Sequence, residues 1–286
     1  MNRLLNRTAP EHLQFLKLGG SLITDKSRPY TLRPKVLGRL AREITEARAS
    51  HPDLRILLGH GAGSFAHVSA EKYGTRWGVE GPEDWEGFAQ VWRDAAGLNR
   101  LVMDSLLLAG LPAIAFPPSA CISSDDRQIA AWNINPLLQA LEANLVPVLY
   151  GDVIFDLSLG GTIFSTEALF AYLARRFKPE RILLAGIEPG VWADYPLCEH
   201  VVAEIHPKNF GQINSVLEGS AATDVTGGMA TKVHQMLDLA VELPGLEISI
   251  FSGEEPGRIQ EALEGERVGT HISGKTPDEP TWLTAN

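Results

Sequence analysis

Three stretches of this 286-residue chain pair glycines with residues that could handle phosphate. Lys17-Leu18-Gly19-Gly20-Ser21 closes a short apolar run. Its adjacent glycines let a ligand approach the backbone closely, while Lys17 and the nearby Lys26 supply positive charge. Gly61-Ala62-Gly63-Ser64-Phe65-Ala66 satisfies the dinucleotide pattern G-x-G-x-x-A after another apolar run. That pattern also needs a second strand ending in an acidic residue about 20 positions later, and the segment from Tyr73 to Trp85 is too polar and glycine-rich for one. Dinucleotide binding is therefore disfavoured, and phosphate binding by the same turn is kept. Gly269-Thr270-His271-Ile272-Ser273-Gly274-Lys275-Thr276 matches the P-loop pattern G-x4-G-K-T. A P-loop works through the helix that follows it. Pro277 and Asp278-Glu279-Pro280 follow here, so the match is read as coincidence.

Other chemistry is less well supported. Ser64 lacks the G-x-S-x-G frame of a nucleophile elbow. His200, His206 and His234 have no ligand-like spacing, and Cys121 and Cys198 have no zinc-type spacing and are read as packing residues. Asp125-Asp126 reads as a solvated turn, and Trp92 and Trp132 as core.

The elements that must hold these residues alternate between short apolar β-rich runs and helical patterns. Strands are expected at 13–18, 54–58, 113–116, 146–150, 182–185, 201–205 and 247–251. Helices are expected at 34–49, opened by Pro34, and at 84–108, 136–143, 167–176, 228–241 and 256–263. A hairpin from 153–155 to 162–164 is expected to turn at Gly160-Gly161. This alternation predicts an α/β fold with an open, mostly parallel central sheet. A seam is expected near Lys178-Pro179, crossed by one continuous sheet, and residues 275–286 read as a polar, loosely held tail.

Apolar residues make up 44% and charged residues 21% of the chain, which suits a globular domain rather than a disordered one. The net charge of −10 argues against nucleic-acid or anionic-membrane partners, so phosphates must be held by a few placed cations. The most apolar run, Leu106 to Phe116, is too short for a bilayer and broken by Gly110 and Pro112. Two cysteines make no disulfide framework, and a cytoplasmic location is expected.

Taken together, Lys17–Lys26 (KLGGSLITDK), Gly59–His67 (GHGAGSFAH) and Asp224–Lys232 (DVTGGMATK) resemble the amino acid kinase family. Within it they are most similar to the isopentenyl phosphate kinases, as is Val146–Asp152 (VPVLYGD). The resemblance implies a three-layer αβα sandwich, with an acceptor-binding half at 1–178 and a nucleotide-binding half at 179–274. It implies ATP with Mg²⁺, a small phosphate acceptor such as isopentenyl phosphate within isoprenoid biosynthesis, and a homodimer. A same-fold kinase of a phosphonate such as fosfomycin, and a non-catalytic nucleotide-binding relative, remain the alternatives.

By the same resemblance, Lys17 would stabilise the transferring phosphoryl group with the N–H groups of Gly19, Gly20 and Ser21, and Lys26 would reach the same phosphates. Lys232, on the helix opened by Gly227-Gly228, would hold the nucleotide phosphates. Gly63 would line the reaction centre, the Ala62 N–H and Thr166 would touch the acceptor, and His67 would donate to its phosphate. No protein metal ligand is implied. The chain departs from the family pattern at Ala62 and Ala66, where glycine is usual, at Ser165-Thr166-Glu167 in place of S-G-D, and at Gly186-Ile187 in place of T-D. Ile187 cannot hydrogen-bond a ribose or base through its side chain.

Overall fold

The computed structural model describes residues 9–219 and 228–276. The first half runs β1 (Leu13–Leu18), α1 (Gly20–Ile23), α2 (Pro34–Ser50), β2 (Arg55–His60), α3 (Gly63–Tyr73), α4 (Pro82–Leu108), β3 (Ala113–Ala115), α5 (Pro118–Cys121), β4 (Ile122–Asp125), β5 (Gln128–Trp132), α6 (Asn135–Glu142), β6 (Val146–Tyr150), β7 (Asp152–Asp156), β8 (Gly160–Phe164) and α7 (Thr166–Phe177). The second runs β9 (Arg181–Gly186), β10 (Val191–Trp192), β11 (Val201–Val202), β12 (Glu204–Ile205), α8 (Phe210–Gly219), α9 (Gly228–Glu242), β13 (Glu247–Ser252), α10 (Arg258–Leu263) and β14 (Thr270–Ile272).

The main sheet has the order β12-β14-β13-β9-β1-β2-β6-β3 and is continuous across residue 178. All its neighbours are parallel except β13 and β14, so β14 and its partner β12 run against the rest. β1 and β9 lie side by side at the centre, with Leu18 level with Ala185 and, on the other side, with His60. From β1 the chain builds outward in one direction, and from β9 in the other. Such a reversal leaves a crevice at the carboxyl ends of the strands, where ligands bind in open α/β sheets.

Alternation along β1 sorts its side chains between two cores. Leu13 and Phe15 pack against α6, α7 and α9, whereas Leu16 and Leu18 pack against α2, α4 and α10. Phe15 meets Phe170 of α7 with ring centroids 5.1 Å apart. A four-stranded sheet, β5-β4-β7-β8, covers the α3–α4 side through Val153, Phe88, Val91 and Ala70.

Several expectations are corrected. The stretch expected as one strand at 201–205 divides: β11 pairs antiparallel with β10, while β12 joins the main sheet. The β7–β8 hairpin turns at Leu157–Leu159 rather than at Gly160-Gly161, which belong to β8, because the Asp156 carboxylate accepts the N–H groups of Ser158 and Leu159. Trp92 lies on the outer face of α4 and is 46% exposed, while Trp132 is buried as expected. The P-loop-like stretch holds β14, hydrogen-bonded to β13, with Lys275 exposed at its end. The tail beyond residue 276 lies outside the described residues.

Candidate active site

Lys17 stands one residue before the end of β1, on the face it shares with Phe15. That face looks onto α7, and the first turn of α7 carries Glu167. Lys17 Nζ and Glu167 Oε1 form a close ion pair, with side chains 12% and 9% exposed. Burial works to raise the Glu167 pKa, but the charges of Lys17 and Lys232 outweigh it and hold the carboxyl below its ordinary range. Sequence reasoning treated Glu167 only as a departure from a motif. Its role as counter-ion depends on α7 docking against β1, which no spacing reveals.

After β1, Gly19–Gly20 press backbone to backbone against Gly61–Gly63, which follow β2. A Cβ on Gly20 would lie 2.3 Å from the Gly63 nitrogen. Gly63 itself has φ +52°, and a Cβ there would lie 2.1 Å from Thr24 Oγ1. Thr24 ties the turns together: its hydroxyl donates to the Gly20 carbonyl at 2.7 Å and accepts the Ser64 N–H at 2.9 Å. The expected phosphate contact from the Gly19 N–H is corrected, because that group donates to the Ala185 carbonyl at 2.7 Å. Gly20 and Ser21 open α1 ahead of its first internal bond, from Leu22 N–H to the Gly19 carbonyl.

Below the second turn sits His60, fully buried and stacked on Tyr150 at 5.5 Å. Its Nδ1 lies 3.0 Å from the Gly61 carbonyl and its Nε2 3.2 Å from Asn99 Oδ1, and burial holds its pKa below the usual histidine value. Thr166 donates its hydroxyl proton to the His60 carbonyl at 2.7 Å and is 1% exposed. It fastens α7 to the turn as well as walling the cavity.

These elements enclose a cavity of about 460 Å³. Lys17, Lys26 and Lys232 all line it, although they are far apart in sequence. Gly19, Gly20, Ser21, Ala62, Gly63, His67, Thr166 and Gly228 line it too. Gly227 lies outside the described residues. Towards α3 the wall is apolar, with Ala66, Ala70, Val91 and Ile163, and Arg76 and Arg127 line the cavity as well. Towards α9 it is formed by Gly186, Ile187, Glu188, Met229, Thr231 and Gln235. One anion-attracting focus of three lysines therefore sits in an acidic protein.

Each carboxylate that lines the cavity among the described residues has a partner. Glu167 faces Lys17, and Glu188 accepts the Trp192 indole N–H at 2.8 Å. Asp152 accepts the N–H groups of Ser119 and Val153, and burial pushes its pKa up to about 6. Among the described residues, the one cluster with metal-ligand geometry is Asp194, Glu199 and His200, which does not line the cavity.

The amino acid kinase family profile matches residues 13–252. The chain is 37% identical over 271 residues to the isopentenyl phosphate kinase of Methanothermobacter thermautotrophicus, covering 91% of this chain and 98% of that protein. It is 31% identical over 269 residues to the isopentenyl phosphate kinase of Methanocaldococcus jannaschii, with the same coverage. A crystal structure of an isopentenyl phosphate kinase superposes with a TM-score of 0.77 at 32% identity, over 92% of this chain and all of the other.

Proposed function

This chain belongs to the amino acid kinase family, and on that premise we propose that it transfers the γ-phosphoryl group of ATP to isopentenyl phosphate, giving isopentenyl diphosphate and ADP. The observation that carries the reading is the convergence of Lys17, Lys26 and Lys232 on one cavity beside the interlocked glycine turns. The relatives' shared activity supports the choice of acceptor. An oxygen of the acceptor phosphate bonds to the γ-phosphorus while the bond from that phosphorus to the β,γ-bridging oxygen of ATP breaks. The acceptor is already ionised, so the step needs alignment and charge neutralisation rather than a base.

Lys17, with the N–H groups of Gly20 and Ser21, takes the charge of the group in transfer, and Lys26 approaches the same oxygens. Lys232 receives the charge that develops on the leaving phosphate. His67, on the second turn of α3, donates to the acceptor phosphate. The apolar wall of Ala66, Ala70, Val91 and Ile163 takes the hydrocarbon tail. The acceptor thus occupies the half at 1–178, and the nucleotide lies against 179–274.

Mg²⁺ would neutralise charge on the nucleotide phosphates. The carboxylates that line the cavity among the described residues are Asp152, Glu167 and Glu188, and no step is assigned through the metal. A homodimer is supported by Leu101 and Leu108, which are seven residues apart on one face of α4 and exposed, together with the exposed Ile114 of the edge strand β3. A cytoplasmic location is supported by the free thiols of Cys121 and Cys198.

The deciding experiment is an acceptor screen with ATP and Mg²⁺, comparing isopentenyl phosphate, dimethylallyl phosphate, fosfomycin, UMP, carbamate and N-acetylglutamate. Acceptor-dependent ADP release should be greatest with isopentenyl phosphate. A clear preference for fosfomycin, UMP or a carboxylate would overturn the assignment, and acceptor-independent behaviour throughout would remove the enzyme reading.

A further inference from the structure

His60 is the last residue of β2, and its imidazole is fully buried and touches no cavity. The ring is nevertheless held on every side. It stacks on Tyr150 with the two planes 13° apart, and its nitrogens face the Gly61 carbonyl and the side-chain amide of Asn99 on α4. Burial disfavours the imidazolium, so the ring has one proton for two neighbours. The Gly61 carbonyl can only accept. A half-turn of the Asn99 amide, by contrast, offers either its oxygen or its N–H groups. Both contacts are satisfied when Nδ1–H donates to Gly61 and the Asn99 amide donates to Nε2.

The Gly61 carbonyl belongs to the same peptide unit as the Ala62 N–H. That unit is trans, so the two groups point in opposite directions across one plane. Holding the carbonyl on the buried imidazole therefore turns the N–H to the other side, and Ala62 lines the cavity. The next torsions fit an anion. Ala62 has φ −77° and ψ −17°, and Gly63 has φ +52°, a right-handed then left-handed pair that gathers successive N–H groups into a concave nest. The Ser64 N–H of this nest is taken by Thr24 Oγ1 at 2.9 Å. Among the described residues no group accepts from the Ala62 N–H. Rotation of the Gly61–Ala62 plane would present a carbonyl oxygen to a dianion in place of a donor.

We propose that His60 is a positioning residue for the transfer: its Nδ1–H holds the Gly61 carbonyl and thereby aims the Ala62 N–H at the acceptor phosphate, while Asn99 fixes the tautomer from the other side of the ring. The inference rests on the phosphate-acceptor reading above. It gives the buried histidine a role distinct from that of His67, which lines the cavity itself.

Two measurements test it. The first is long-range proton–nitrogen NMR of the His60 ring in the unliganded full-length wild type at pH 7.5. Nδ1 should carry the one proton, and a bare Nδ1 or a proton on both nitrogens overturns the proposal. The second is steady-state kinetics at saturating ATP with isopentenyl phosphate varied. His60→Leu should raise the acceptor KM about tenfold or more, the size of a lost hydrogen bond to a charged group. Its kcat should change far less, and ATP affinity without acceptor should not change. An asparagine amide nitrogen replaces Nδ1 and a glutamine one replaces Nε2. His60→Asn should therefore recover most of the acceptor KM, while His60→Gln should behave as His60→Leu. Both lose the stack on Tyr150, so equal losses in the Asn and Gln variants, or a loss shared by ATP, would mean that the ring only fills space. An unchanged acceptor KM in His60→Leu refutes the proposal outright. If the wild type does not turn over isopentenyl phosphate, the function reading fails separately, and the tautomer measurement still decides whether Nδ1–H holds the turn.

Discussion

Lys17 and Glu167 are both largely buried and paired with each other, so removing one leaves the other without its partner. Glu167→Gln leaves the lysine unpartnered and should lower the stability of the unliganded protein by about 3–5 kcal/mol. Added ATP should raise the melting temperature of this variant more than that of the wild type, because the phosphates supply the missing countercharge. Melting curves with and without nucleotide decide this, and equal ATP shifts would refute the pairing. The pH dependence has a definite sign. The folded carboxyl titrates below its ordinary value of 4.5, so its stabilisation is complete above that value and is lost as pH falls through the depressed one. The Gln variant should lack that limb. His67 offers a different contrast. If it donates to the acceptor phosphate, His67→Ala should cost about 1.5–3 kcal/mol on the acceptor side, with ATP binding intact. His67→Gln should recover part of the rate, since the amide N–H reaches a similar point. A general base would leave Gln as inactive as Ala and remove a pH–rate limb near ~6.5 in both variants.

Elements supply the geometry that single residues cannot. The two-residue period of β1 turns Lys17 toward α7, and the parallel register of β1 with β2 brings both glycine turns to the same level. The turns then touch so closely that side chains are excluded. Gly63→Ala would combine an unfavourable positive φ with a Cβ 2.1 Å from Thr24 Oγ1. It should separate the turns, costing about 1–3 kcal/mol of stability and most of the catalytic activity. Gly110→Ala is the matched control, since Gly110 has φ +83° with nothing within 4 Å of an added Cβ. It should show a strain penalty of about 1 kcal/mol with kcat preserved. Melting and steady-state assays on the pair separate strain from contact, and equal loss of activity in both would refute the interlock.

Across the whole molecule, the sheet edge determines what the C-terminal segment can do. β14 bridges β12 and β13, and the Ser273 N–H donates to the Ile205 carbonyl. Truncation after Ser273 removes Gly274-Lys275-Thr276 but keeps that strand, so kinase activity and ATP affinity should stay close to wild type. Truncation before Gly269 strips β14 from the edge and should lower the melting temperature markedly. Loss of ATP binding in a folded Ser273 truncation would show that the P-loop-like stretch handles nucleotide after all.

Local rules were enough for much of this protein. The apolar runs at Leu13–Leu18 and Val146–Tyr150 read directly as buried parallel strands, and Pro34 marked the start of α2. The lysines and glycine turns stood out because charge and a bare backbone are properties of residue type. What the residues could not announce was partnership between distant segments. The pairing of Lys17 with Glu167 links positions 150 apart in the chain, and the Gly19 N–H is drawn away from phosphate by a strand that arrives at Ala185. Thr270–Ile272 fits a P-loop pattern by composition yet lies antiparallel to β13, and the segment at 201–205 divides because two different strands compete for it. Arg76 and Arg127 meet over Trp77 only once a hairpin tip folds back on the turn after α3. Hydrogen-bond and charge partners are chosen by which surfaces become adjacent on burial, and that adjacency exists only in the packed chain.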